Sequence, residues 1–284
     1  MHNDLMLRLA RRSHLSKKFG FRYVDGCWPH LEIDHPVGVA RLVGEAMQDA
    51  GNGRVFLRGQ VQPHNAMLPS LFRGNSANPD TLRAAEQDLV ERIRQTIHVG
   101  RFGRPNLPAL LQHYGFRTSW LDVVDNLFVA IWFATNDLRP AADFSIVISP
   151  SSEEHGWLYL IASTAGSRQL QCVDLRTGHN PLSSRPLVQH GVSLARLDPT
   201  EYDLRDFVVA TVRFPTRNLT ATGSLFGGSV LFPPPADDHT LRLLVKHQVS
   251  DIAADIERRH GLSPQALGRV SQLRSPSSAQ NAPL

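Results

Sequence analysis

The sequence predicts an α+β fold in a single domain, a mixed or mostly antiparallel sheet flanked by helices. Two observations lead there. Helical periodicity fills much of the first half and strand-like runs the second, an order that favours segregated layers over a doubly wound βαβ repeat. Neither an internal repeat nor a Pro/Gly/Ser-rich linker divides the 284 residues, a length that buries a substantial core without metal or disulfide staples. The apolar share of 42% and charged share of 20% are ordinary globular values. The domain is expected over residues 36–270, after a basic extension at 1–35 and before a disordered tail at 271–284.

PVGVARLVGEAMQDA (36–50) begins with Pro36 after His35 and puts Val39, Leu42, Val43 and Met47 on one face, which predicts a helix ended by Gly51 and Gly53. RVFLRGQV (54–61) reads as a strand closing at Gly59, with Arg58 at its end. Leu82, Ala85, Leu89, Ile93 and Ile97 recur at helical spacing over 81–97, with Asp80 as the expected N-cap. LPALLQHYG (107–115) predicts a short helix stopped by Gly115. The run from Leu121 to Leu138 predicts another helix, at least from Asn126 onward.

Beyond it, 144–149, 156–163, 170–175, 207–214 and 228–233 read as strands. In RPLVQHGVSLARL (185–197), Gln189, His190 and Gly191 interrupt an apolar strand pattern, and a glycine there marks a bulge or a close backbone approach. Residues 241–270 predict one or two helices broken at Gly261. RSPSSAQNAPL (274–284) has the composition of a disordered tail.

Lys plus Arg exceeds Asp plus Glu by 30 to 26, a weak basic bias. Part of it sits in Arg8, Arg11, Arg12, Lys17, Lys18 and Arg22, a patch open to two readings, a solvated face or an anionic partner. Cys27 and Cys172 are far apart and match no zinc or disulfide spacing. Charges interrupt the N-terminal segment, and no apolar run approaches the ~20 residues of a membrane span. The expectation is a cytoplasmic protein with no membrane contact and no metal.

The common catalytic signatures are missing: no GxSxG, HExxH, phosphate loop or dinucleotide GxGxxG occurs. Three polar segments stand out instead. Arg58 precedes Gly59 and Gln60, offering a planar guanidinium beside bare backbone, suited to phosphate or carboxylate. A buried Arg bonding loop carbonyls is the alternative. In QHYGFRTSWLD (112–122), His113, Tyr114, Arg117, Thr118, Ser119 and Asp122 run into an apolar segment. Such groups must bond one another or line a cleft, because each one buried unpaired costs about 1–3 kcal/mol. Asp122 could also cap the following helix. The third segment is Gln189, His190 and Gly191.

Together these motifs resemble the FRG domain family of bacterial and phage proteins. FLRGQ carries the Phe-Arg-Gly pattern with Leu57 inserted, LPSLFR (68–73) matches its Pro-Ser-Leu-x-Arg with Arg73, and Glu86 its helix-start acid. QHYG (112–115), Thr118, Leu121-Asp122, Asn126 and AIWFA (130–134) match the central block, and RPLVQHGV the Arg followed by Gln-x-Gly, from Arg185 to Gly191. The resemblance covers about residues 36–200. Phe116 and Arg117 replace a frequent Leu-Pro, and Val124 replaces a common Thr.

Two functions are compatible with such a domain. One is a divergent ADP-ribosyltransferase-like enzyme or NAD glycohydrolase in a toxin or phage-defence setting, with NAD as substrate. Arg58 would hold the dinucleotide, Thr118 or Ser119 with Asp122 would steady the ribose, and Gln189 would align the reacting centre. Gln60, Arg73, His113, Tyr114, Arg117, Asn126, Arg185 and His190 would complete the binding surface. Gln189 carries no charge, so Asp122 or Glu201 would have to stabilise the cationic sugar. The other is a non-catalytic module binding a nucleotide, nucleic acid or partner protein through an Arg/His-lined cleft.

Overall fold

The computed structural model describes residues 4–11, 17–26, 28–51, 53–64, 66–97, 106–140, 146–163, 169–177, 183–198, 200–223 and 227–268. Cys27, Arg12 and the expected tail at 271–284 lie outside them. The architecture is α+β, with helices packed on a mostly antiparallel open sheet.

In chain order the elements are α1 (Asp4–Arg11), β1 (Arg22–Val24), β2 (His30–Glu32), α2 (Pro36–Asp49), β3 (Arg54–Gln60), α3 (Pro79–Thr96), α4 (Leu107–His113), β4 (Leu121–Val124), α5 (Leu127–Thr135), β5 (Asn136–Pro140), β6 (Ile146–Pro150), β7 (His155–Ser163), β8 (Leu170–Asp174), α6 (Ser184–Val188), β9 (Gly191–Arg196), β10 (Val208–Pro215), α7 (Thr216–Gly223), α8 (Gly228–Leu231), α9 (His239–Lys246) and α10 (Val249–Arg259). Eight strands form one sheet in the order β1-β2-β10-β7-β3-β4-β9-β8, and β5-β6 form a separate pair. Within the large sheet only β2 and β10 run parallel.

Period-two alternation sorts the central strands onto two faces. Val55, Leu57, Leu158 and Leu160 join a core with α1, α2 and α5. Phe56, Tyr159 and Ile161 point into a second core with Trp28, Met67, Val192 and Leu194. A third cluster gathers α3, α4, α9 and α10.

Several expectations are corrected. Leu121–Val124 is strand β4 rather than helix, because its apolar residues find partners along β9. The following helix is capped by Asn126, whose Oδ1 accepts from the backbone N–H groups of Phe128 and Val129, and not by Asp122. That helix ends at Thr135, since Asn136–Pro140 pairs with β6. Pro79 at the first turn moves the cap of α3 from Asp80 to Asn78.

Residues 228–231 are helical, and 184–188 form α6 instead of a strand. Met47 is exposed, the amphipathic face of α2 being Val39, Leu42, Val43 and Ala46. Before residue 36, Leu5, Met6, Phe21 and Leu31 are buried in the first core, and β1 and β2 lengthen the sheet. Among the described residues no helix is long and apolar enough to cross a membrane.

Helix α5 crosses β3 so closely that a Cβ on Gly59 would stand 1.8 Å from the Ala130 carbonyl oxygen. The backbones themselves are in contact, so no rotamer change relieves the clash. Gly59→Ala is expected to lower stability by at least about 2 kcal/mol in urea unfolding. Gly44, on α2 with nothing within 4 Å of an added Cβ, should give the opposite sign on change to Ala, a gain of about 0.5–1 kcal/mol.

Candidate functional site

The sheet comes apart between two neighbouring strands. β3 pairs with β7 from Arg54 to Gln60, and β4 with β9 along its whole length. Between β3 and β4 the register holds one pair, Leu57 with Val124. A continued antiparallel ladder would set Gly59 opposite Asp122. Instead the Arg58 guanidinium reaches across and donates to the Asp122 carbonyl oxygen at 2.6 Å. A cleft of about 630 Å³ opens at this split, with Arg58, Gln60, Arg73, His113, Arg117, Asp122 and Gln189 on its walls.

Those seven predicted residues converge from β3, the loop after it, α4, the loop that follows α4, β4 and the turn after α6. The His113 ring is buried, with Nδ1 3.0 Å from Gln189 Oε1 and Nε2 3.3 Å from Asp122 Oδ1. The Asp122 carboxylate also meets the Ser193 hydroxyl at 3.4 Å. Burial pushes the Arg58 guanidinium below its ordinary range, while the charge of Asp122 opposes that shift. At the mouth, partial desolvation lowers the His64 pKa, and Arg73 and Arg58 lower it further. The two guanidinium charges therefore overlap in one region.

Arg117 borders the cleft, but its guanidinium donates to the backbone carbonyls of Ser70, Arg73 and Gln265. It ties the cleft wall together. Gln112, Ser70 and His64 line the cleft, as do Asp137, Phe133 and Phe232. Position in the sequence gave no reason to single these out, except Gln112 at the head of the central motif.

Six predicted residues stand elsewhere. Thr118 is buried and donates its hydroxyl to Gln112 Oε1. The backbone N–H of Ser119 donates to Glu86, a buried carboxyl raised above the usual range by desolvation. Ser119 borders a separate cavity of about 120 Å³ that also contains Glu201 and Arg196, so among the two candidate acids Asp122 is the one in the cleft. Tyr114 donates to the buried Asp238, whose oxygens also accept the N–H groups of Arg185 and Leu241. The Arg185 guanidinium stacks over the Tyr114 and Phe232 rings. Asn126 is consumed as the cap of α5.

His190, held at φ 53°, faces Asp125 at 3.2 Å within an ionic cluster outside the cleft lining. In that cluster Arg176 bridges Asp125 at 2.6 Å and Asp174 at 2.7 Å. Hydrogen bonds from Arg176, more than any other cause, hold the Asp174 carboxyl at about 2. A folded-state value below the unfolded one contributes stability that is present above the ordinary carboxylate value, about 3.9, and lost as pH falls towards 2. Urea midpoints of the wild type should therefore drop between about pH 4 and pH 2 more steeply than those of Asp174→Asn. Parallel slopes would contradict this.

Among the described residues no group of three or more His, Cys, Asp or Glu is gathered as a metal cage. No curated protein and no solved structure matches the chain. The FRG domain model matches residues 53–143, a span that contains Arg58, Arg73, Glu86, His113 and Asp122 and stops short of Gln189. Over that span the chain carries an FRG domain.

Proposed function

We propose that the cleft binds NAD and breaks its nicotinamide–ribose bond, as a glycohydrolase or an ADP-ribosyltransferase. One observation carries the reading: Arg58 and Asp122, 64 residues apart in sequence, meet on the wall of one open cleft. Guanidinium donors suit a dinucleotide diphosphate, and Arg58 and Arg73 both line the cleft.

Cleavage at C1′ develops positive charge on the sugar, which a fixed carboxylate in a water-poor site stabilises. Asp122 is a fixed carboxylate on the cleft wall, held by β4 pairing, by Ser193 and by His113. Phe133 and Phe232 add flat apolar wall for a planar ring. The volume falls within the range of small-molecule sites, about 300–1,000 Å³.

Purified protein incubated with NAD should release nicotinamide. Asp122→Asn should lower kcat by about 10²–10³ with little change in binding. Arg58→Ala should abolish turnover while circular dichroism shows the fold retained. NAD binding by calorimetry without nicotinamide release, with or without protein acceptors, would instead favour the non-catalytic nucleotide-binding module. Unchanged turnover in Arg58→Ala would remove the proposed site.

A further inference from the structure

The Gln189 side chain is pinned at both ends. Its Nε2 donates to the Leu231 carbonyl at 2.7 Å, and a carbonyl only accepts, so the amide nitrogen must stand on that side. Its oxygen is thereby turned to His113 Nδ1 at 3.0 Å, and because that oxygen also only accepts, Nδ1 must carry a proton. In the neutral ring Nε2 is then the bare nitrogen. It is buried, lacks a hydrogen-bond partner, and faces Asp122 Oδ1 at 3.3 Å.

Two residues further on, Gly191 leaves the space the ring occupies. A Cβ there would lie 2.5 Å from His113 Cε1 and 2.9 Å from Nε2. The turn between α6 and β9 thus fixes the ring twice, by an acceptor on one edge and by a missing side chain on the other. The charged groups around the ring are Asp122 on β4 and, through the Asp122 carbonyl, Arg58 on β3. Arg185 on α6 is stacked over Tyr114 and Phe232.

We propose that Gln189 and Gly191 are positioning residues that hold His113 as the Nδ1–H tautomer, with Nε2 and Asp122 forming a seat for the one proton the reaction releases. The proposal rests on the NAD reading for the identity of the reaction, and on the geometry of the turn for the tautomer. The C1′–N bond breaks with its electron pair passing to the nicotinamide nitrogen, which leaves neutral. The oxygen of water or of an acceptor hydroxyl bonds to C1′, and its proton passes to His113 Nε2. The resulting imidazolium is paired with the Asp122 carboxylate and returns the proton to solvent. Asp122 thus stands first beside the cationic sugar and then beside the ring.

The test is 15N NMR of the histidine rings, with His113 assigned by the signal lost in His113→Asn. The wild type at a pH where the ring is neutral should show protonated Nδ1 and bare Nε2. Gln189→Leu should move His113 towards the Nε2–H form and lower kcat by about 10²-fold, with KM for NAD little changed. Gly191→Ala should shift the His113 ring resonances while Gln189 still holds the tautomer. A wild-type ring with protonated Nε2 overturns the proposal without any variant needing to fold, as does Gln189→Leu with tautomer and kcat both unchanged. If the tautomer is as expected but no nicotinamide is released, the NAD reading fails and the positioning of His113 stands.

Discussion

A side-chain donor placed in a broken strand ladder organises this protein. β3 is bonded along its whole length to β7 but touches β4 through one register pair, and the next carbonyl, that of Asp122, receives the Arg58 guanidinium instead of a strand N–H. The split has two consequences. It opens a polar cleft in the middle of an eight-stranded sheet, where a continuous ladder would have sealed it. It also brings a cation and a carboxylate from distant parts of the chain to the same wall without requiring them to neutralise each other by direct contact. The close seating of α5 on Gly59 supports the outer side of the split, so the same three residues, Arg58, Gly59 and Asp122, tie the packing of the sheet to the candidate site.

Around the cleft the polar side chains divide by duty. Asp238 accepts from Tyr114 and from two backbone N–H groups, Glu86 accepts from Ser119, and Gln112 gathers Ser70 and Thr118. Each bond satisfies a group whose unpaired burial would cost about 1–3 kcal/mol. The dense polar motif is therefore mostly a frame, and His113 and Asp122, with Arg58 and Gln189, are the part of it that lines the cleft. Arg117 belongs to the frame although it borders the cleft, because its guanidinium is committed to three carbonyls.

The long helices were legible because apolar spacing over many residues is unambiguous, and α2 and α3 lie close to where periodicity put them. β4 was not, since four apolar residues running straight into a helix carry no period of their own and are defined by pairing with β9. At the site, Arg58, His113, Asp122 and Gln189 could be read from motifs. Tyr114, Thr118 and Arg185 looked equivalent on paper, because a buried network and an active site draw on the same donors and acceptors. Ser193 was invisible, and Gly191 could be read as a bulge or close approach but not matched to His113, as both act through contacts with residues some 70 to 80 positions earlier.

The split between β3 and β4 is the proposed seat of a dinucleotide. A crystal structure with carba-NAD, which lacks the ring oxygen needed for cleavage, tests it most directly. The diphosphate should lie within hydrogen-bond reach of Arg58 or Arg73 and the nicotinamide-bearing sugar beside Asp122. Carba-NAD bound away from the split, or a cleft left empty at saturating ligand, would contradict it.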